Sequence, residues 1–544
     1  MCSARSADNT SCQKDSNYNN NNNNNRLKSW SCRFISFSPP AIKPIDMLHV
    51  VRTVTLTICI VGSIALPFIF AFSPRSPYKI WAGVKQEITT TTGHLDVINN
   101  YKSNNNQQLV YTGPSADDKL DVEEKTNLSH LLFGIGGTAI SWPDRRRYTE
   151  LWWTPEICRG YVWLDEKPGH RWPSTSPEYK VSGDTSKFKY SCWYGSRSAV
   201  RIARIVKESF ELGLDNVRWF VMGDDDTVFF TDNLLEVLRK YDHNQMYYVG
   251  GNSESVEQDV IHSYTMAYGG AGFAISYPLA KELVRVLDGC IDRYDDLYGS
   301  DQKIQGCLSE IGVPVTKELG FHQMDVRGSP YGLLAAHPIT PLVSLHHLDY
   351  IDPIFPNSNP VESVTKLHNA YKTDPSRTLQ HSFCYDLTHN WSISVSWGYT
   401  IQLYPSFLNA KTLETVVQTF QTWRSWSIEP FTFNTRPLGD DLCTRPVVYF
   451  LDRVERVGPS RTVSTYRRIK ADNVKECETE EYKRALAIKY FNISAPTFNP
   501  KLWHKAPRRQ CCEVVNGVDG LKRDSDFVRV KIRGCNGWES VTPP

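Results

Sequence analysis

With 544 residues, 40% of them apolar and 12% aromatic, the chain has material for roughly two to four cored units and is not a wholly disordered polypeptide. Its 61 basic and 59 acidic residues leave a net charge of +2, so the total implies no polyanion-binding surface and no nucleic-acid partner. None of the 14 cysteines stands in a paired CxxC arrangement, which argues against a structural zinc site.

Residues 1–46 carry an asparagine run, Asn19–Asn25, and three prolines, and read as a disordered cytosolic tail. Thr53–Phe72 is an uncharged stretch between Arg52 and Arg75, long enough to cross a bilayer as a helix; a buried core helix is the alternative. Basic residues ahead of it, ten cysteines after it and the sequons at Asn127, Asn390 and Asn492 favour a single-pass signal anchor with a lumenal, glycosylated and disulfide-bonded body. Residues 73–128 are polar and read as a stem.

An α/β domain is expected over 129–355. Strands are expected at His130–Ile135 and Gly160–Asp165, with a helical stretch after Pro143 between them and a helix over Ser198–Leu212. A third strand, Trp219–Met222, runs through Gly223 into three consecutive acids, Asp224, Asp225 and Asp226. A helix over Asp232–Tyr241, a strand at Met246–Val249 and a glycine strip at Gly269, Gly270 and Gly272 follow. A helix from Pro278 to Leu287 comes next, and Asp301 is expected to N-cap another that carries Ile304, Cys307, Leu308 and Ile311. This alternation predicts a parallel sheet. Residues 356–544 change character: alternating segments such as Trp391–Ile401, Arg445–Leu451 and Phe527–Ile532 predict an antiparallel β-rich appendage with six cysteines.

Charge placed at the carboxyl edge of an apolar strand sits where open α/β sheets bind ligands. Asp224 and Asp226, one residue apart, offer hard oxygen ligands for Mg²⁺ or Mn²⁺; the ordinary alternative is a solvated acidic turn. Glycines at 269, 270 and 272 let backbone approach a ligand closely, although tight packing explains such strips as well. An acidic cluster, a glycine strip, a later lone carboxylate and a later histidine suit sugar transfer from a nucleotide donor. The diphosphate needs its charge neutralised, and the attacking hydroxyl needs a base. A metal phosphoesterase is the competing enzyme class.

The ordered motifs GDDDTVFF, GGAGFAIS, YGSDQKIQGCL and SLHHLD resemble the Fringe-type β-1,3-glycosyltransferases of glycosyltransferase family 31. FHQMDVRG, GLLAAHP and Cys511-Cys512 resemble that family's plant branch, whose carboxyl-terminal half is labelled a domain of unknown function. The resemblance covers about residues 129–535. It implies a GT-A fold, a UDP-sugar donor, a glycan or glycoconjugate acceptor, Mn²⁺, inversion to a β-1,3 linkage, and a type II Golgi anchor. It assigns Asp224 and Asp226 to the metal, with Asp224 and Asp225 beside the donor. Gly269, Gly270 and Gly272 fall beside donor and acceptor, and Asp301 falls where the catalytic base resides. This chain has Gly299-Ser300-Asp301 where the family has Pro-Asp-Asp, so one acid of that pair is missing. A non-catalytic glycan-binding protein that keeps the fold is therefore the alternative. The metal histidine matches His347 when aligned on the following Leu-Asp and His346 when aligned on the preceding Val-Ser, with His347 preferred.

Overall fold

The computed structural model describes residues 124–469, 477–515 and 526–543, all within the unit Ser115–Pro544. Its first half is built on β1 (Leu131–Gly136), β2 (Arg159–Leu164), β3 (Tyr179–Val181), β4 (Trp219–Asp224), β5 (Val228–Phe229), β6 (Tyr248–Gly250), β7 (Phe273–Ser276) and β8 (Val315–Lys317). All but β5 join one sheet in the order β3-β2-β1-β4-β7-β6-β8. Successive side chains on a strand point to opposite faces, and the sequence exploits this. Leu131, Phe133, Ile135, Trp219 and Val221 enter one core with the helix Trp142–Trp152. Leu132, Phe220 and Met222 enter another, beneath the helices Ser198–Phe210, Tyr277–Arg293 and Ser300–Ile311. Both faces of β1 and β4 are buried, which is why they read as continuous apolar runs.

The sheet is mixed, which corrects the expected parallel arrangement. β1 pairs in parallel with β2 and β4, but β7 runs antiparallel to both β4 and β6. The reversal occurs at the glycine strip, where Gly272 adopts φ +81°, a left-handed conformation that favours glycine. Asp301 is not an N-cap: Gly299 takes that place, and Asp301 is the second residue of its helix.

Three short strands carry the chain across the acidic end of the sheet: β9 (Phe321–His322), β10 (Val326–Gly328) and β11 (Ser344–Leu345). β11 lies between β5 and β9, antiparallel to the first and parallel to the second. The residues just after β11 are thereby carried back beside the end of β4.

The carboxyl-terminal half forms a closed eight-stranded barrel. Around it run His381–Asp386, Trp391–Ser396, Thr400–Tyr404, Val447–Arg456, Arg461–Arg468, Tyr490–Pro496, Phe527–Arg533 and Gln510–Val514. The expected single segment Trp391–Ile401 is two strands, turned at Gly398 with φ +79°. Most pairings are antiparallel, but the barrel closes through a parallel pair, Ser382 opposite Gln510, and contains a second between Tyr490–Pro496 and Phe527–Arg533. Nor is this half an appendage. One continuous core runs from Leu131 to Ile532, and Phe420–Thr422, in a connection between barrel strands, pairs with β10.

Disulfides join Cys290–Cys307, Cys384–Cys512, Cys443–Cys477 and Cys511–Cys535, while Cys158 and Cys192 are free and buried. The adjacent Cys511 and Cys512 serve different partners because neighbours on a strand face opposite ways.

The expectation of a fold preceded by a transmembrane helix is corrected as well. Among the described residues no helix is long and apolar enough to cross a membrane, and Thr53–Phe72 lies outside them.

Candidate functional site

β4 ends in Asp224, and the tight turn to β5 is closed by Thr227, whose hydroxyl accepts from the Asp224 N–H and donates to the Gly270 carbonyl. That turn separates the three acids. Asp225 turns back into the protein, where it accepts from Ser141 Oγ at 2.8 Å and Arg145 Nη1 at 3.0 Å. Asp224 and Asp226 face the site instead and meet His346, the residue after β11. One ligand atom from each lies within 4.8 Å of the others. His346 Nε2 is 3.1 Å from Asp226 Oδ1 and 3.8 Å from Asp224 Oδ2. Arg145 Nη1, 3.4 Å from Asp226 Oδ2, braces the far side of that carboxylate. Of Arg145, Arg146 and Arg147, it is Arg145 that reaches the acids, while Arg146 pairs with Glu150.

These groups fit a divalent cation. Asp226 Oδ1 is buried without a hydrogen-bond partner, although it touches His346: the two meet at contact distance without hydrogen-bond geometry. A buried carboxylate oxygen without a hydrogen-bond donor costs about 1–3 kcal/mol, which a metal cation, or protonated His346 in its absence, offsets. Two carboxylates and one imidazole are a set that Mn²⁺ accepts.

Electrostatics in the metal-free cluster point the same way. Burial would lower the pKa of His346, but Asp226 and Asp224 outweigh it and raise it to about 9. Burial would raise that of Asp226, yet His346 and Arg145 hold it well below the usual carboxylate range. Asp224 is pushed up to about 7, by burial first and by Asp226 and Asp225 against the opposing pull of His346. The ring of His346 fills the space beside Gly270, where a Cβ would stand 2.1–2.5 Å from three ring atoms. Gly272 excludes a side chain for another reason, since its Cβ would strike the Phe229 ring at 2.6 Å. Gly269 is under no such pressure and contributes its N–H.

That N–H donates to Asp301 Oδ2 at 2.9 Å, and the Gln302 N–H donates to Oδ1 at 2.9 Å. Burial raises the pKa of Asp301 against these two donors. Asp301 and Asp224 line one small cavity of about 20 Å³, with Gly269, Ser300 and apolar neighbours, which leaves room for about one water.

His347, preferred on sequence, lies outside the three-ligand cluster. Its left-handed backbone, φ 54°, turns its ring alongside that of His346, with 3.9 Å between centroids. There it stacks on Trp423 at 4.5 Å and places Nδ1 3.1 Å from Asp325 Oδ1. Such a backbone costs about 1–2 kcal/mol in a residue with a Cβ, and these contacts hold it. Burial first, and then His346, lower the His347 pKa.

Sequence reasoning singled out no role for Ser141, Thr227, Asp325 or Trp423. Asp325 lies in the FHQMDVRG motif and Thr227 in GDDDTVFF, which were signals; Ser141 and Trp423 reach the site only through tertiary contacts.

Residues 258–512, a little under half of the chain, match a family described as "Protein of unknown function, DUF604". The chain is 30% identical over 141 residues to a beta-1,3-glucosyltransferase of Mus musculus, a match covering 26% of this chain and 27% of that protein. It thus spans about a quarter of the length of this curated relative. A mannosyltransferase from Pyrobaculum calidifontis, solved with GDP-Man and Mn²⁺, overlaps 39% of this chain and 62% of its own at 12% identity and a TM-score of 0.24, too slight to bear on the fold or the site. The chain is therefore similar over part of its length to a glycosyltransferase, and over 258–512 to a family whose function is unassigned.

Proposed function

We propose that the protein is a metal-dependent, inverting glycosyltransferase that moves a sugar from a UDP-sugar to a hydroxyl of a glycan or glycoconjugate, forming a β-1,3 linkage. The observation that carries this reading is the convergence of Asp224, Asp226 and His346 at the sheet's carboxyl edge, with Asp301 sharing a cavity wall with Asp224. The similarity to a beta-1,3-glucosyltransferase supports the class and motivates the linkage.

In this reading Asp224, Asp226 and His346 hold a divalent cation, Mn²⁺ by preference. Bound there, the cation supplies Lewis-acid neutralisation of the diphosphate leaving group. Arg145 fixes the Asp226 carboxylate and Asp225 anchors Arg145, so the ligands are ordered before anything binds. Asp301 takes the proton of the acceptor hydroxyl as that oxygen bonds to the anomeric carbon. The bond from that carbon to the diphosphate breaks on the opposite face, and UDP departs with the electron pair. A carboxylate whose pKa is raised by burial suits a proton acceptor near neutral pH. Gly269 N–H, held on Asp301 Oδ2, keeps the base aimed. The four disulfides among the described residues suit an oxidising lumen, and we place the protein in that of the Golgi.

The test is UDP release by the full chain over a panel of UDP-sugars, with and without glycan acceptors, in Mn²⁺ or EDTA. One donor is expected to be turned over in Mn²⁺ alone. Asp226→Ala is expected to lose both donor binding and turnover, whereas Asp301→Asn keeps donor binding and loses transfer by at least 100-fold. Glycan binding without turnover of any donor would instead favour a non-catalytic protein, to which Ser300 in place of the family's first acid already draws attention.

A further inference from the structure

Strand directions bring three connections to the sheet edge where Asp224 ends β4. β3 runs parallel to β2 and ends at that edge, so residues 182–197 cross it before the helix Ser198–Phe210 returns to β4. β6 ends there too, because β7 runs antiparallel to both β6 and β4, and this puts 251–272 on the same edge. The helix Tyr277–Arg293 starts from the far end of β7, so 294–299 come back to the edge and lead into the helix that carries Asp301.

The three connections meet through a row of aromatic rings. Trp193 lies edge-on to Tyr194, with 5.4 Å between ring centroids. Tyr194 is 5.5 Å from Tyr298 and within 12° of parallel to it, and Tyr298 is 5.3 Å from His262. The row ends beside Asp301. Tyr298 precedes that residue by three positions, and the His262 carbonyl accepts from the side-chain amide of Gln302, the residue after it, at 3.4 Å.

The outer rings stand in water: Trp193, Tyr194 and Tyr298 are 86%, 49% and 41% exposed. Their backbone is nonetheless firmly held. Arg197 Nη2 donates to the carbonyls of Thr185, Ser186 and Phe188 at 2.6–2.9 Å. Lys189 N–H donates to Asp292 Oδ1 at 2.9 Å, Ser191 N–H to the Asp295 carbonyl at 3.0 Å and Tyr190 Oη to the Tyr298 carbonyl at 2.9 Å. Contiguous aromatic surface left exposed on fixed backbone marks a binding surface, and its fixed shape lowers the ordering cost of a ligand.

The chemistry of the row suits a carbohydrate. A pyranose has apolar C–H faces and a rim of hydroxyl groups; ring faces cover the first, while tyrosine hydroxyls and an imidazole bond the second. Four rings, each more than 5 Å from the next, also reach further than a single sugar.

We infer that Trp193, Tyr194 and Tyr298 form the platform on which the acceptor glycan lies, its reacting sugar beside Asp301 and the sugars behind it stacked outward toward Trp193. The ligand class is therefore an oligosaccharide, not a single sugar. The inference rests on the transferase reading for the direction of the chain and on the exposed rings for the ligand's class.

The test uses the full chain in Mn²⁺ and UDP, with cellotetraose, laminaritetraose and lacto-N-tetraose beside methyl β-glucoside and methyl β-galactoside, read by saturation-transfer NMR and calorimetry. Trp193→Ala and Tyr298→Ala remove single rings, Trp193→Phe keeps an apolar face, and Trp538→Ala removes an exposed tryptophan elsewhere. Thermal melting checks that each variant is folded. At least one tetrasaccharide is expected to bind more tightly than either monosaccharide glycoside. Each alanine variant in the row should weaken it about tenfold, with Trp193→Phe and Trp538→Ala within about threefold of the parent and UDP affinity within about twofold throughout. No tetrasaccharide binding by the parent, or binding unchanged in both Trp193→Ala and Tyr298→Ala, overturns the inference even if a UDP-sugar is turned over. Ring-dependent tetrasaccharide binding without turnover of any UDP-sugar would sink the transferase reading and leave the platform as a glycan-binding site.

Discussion

Gly270 holds the candidate site open. Because the imidazole of His346 occupies the space a Cβ would need, Gly270→Ala must displace either the ring or the strand that carries it. We expect the variant to lose 1–3 kcal/mol of stability, about the cost of overpacking a filled core, and to lose at least tenfold in Mn²⁺ affinity. Chemical denaturation and calorimetry check the two effects. Protonation of the same ring sets the pH dependence. In the metal-free protein His346 titrates near 9, so a cation binding at pH 7.5 must displace its proton. Apparent Mn²⁺ affinity should rise about tenfold per pH unit from 7.5 to 9 and then flatten. Calorimetry in buffers of different ionisation enthalpy should count about one proton released at pH 7.5. The sign reverses for the metal-free fold. A histidine raised by its ion pair contributes stability that is complete below the ordinary histidine value of 6.5 and lost as pH rises through about 9. Sequence reading could see Asp224 and Asp226 as a pair because their closeness is local. Aligned on the following Leu-Asp the sequence favours His347, because nothing local to the motif shows which of two neighbouring rings meets the acids. Only the left-handed turn at His347, stacked on Trp423, decides which ring meets the acids.

Helices and strands of the first half were legible where a local apolar period governs them: Ser198–Phe210 and β4 lie close to where periodicity puts them. Strand direction was not, because β7 reads alike whichever way it runs and its pairing with β4 is decided by the chain's return through the glycine strip. Barrel closure was equally invisible, since Ser382 and Gln510 meet across 128 positions of sequence. The disulfide Cys384–Cys512 fastens that seam over a separation of 128 residues, whereas Cys290–Cys307 spans 17 within the helical layer. Closing the longer loop restricts the unfolded chain more, by about 1–2 kcal/mol in the loop-entropy account. Replacing Cys384 and Cys512 by serine should therefore destabilise the protein by about 3–5 kcal/mol, and the corresponding change at Cys290 and Cys307 by less. Urea unfolding of the two double variants decides, and equal losses would count against the loop argument.

For the whole molecule, the α/β half and the barrel share one core, and β10 is completed by a segment from the barrel. Neither half is expected to fold alone. A fragment ending at residue 355 would expose the apolar surface that Val364, Leu367 and Tyr371 now cover and should aggregate or bind ANS, while the intact chain unfolds in one transition by calorimetry. Two separate transitions would contradict this. Shared construction also explains why a half without an acid–base constellation of its own matters to the site: it supplies Trp423, which stacks on His347 beside the cluster of Asp224, Asp226 and His346. The account stands on Asp224, Asp226 and His346 holding a cation that a nucleotide needs in order to bind. The most direct measurement is calorimetric titration of UDP into the full chain in Mn²⁺ and in EDTA, for the parent and Asp226→Ala. The account predicts binding by the parent in Mn²⁺ alone and none by Asp226→Ala in either condition. UDP binding that survives EDTA or the loss of Asp226 would contradict it.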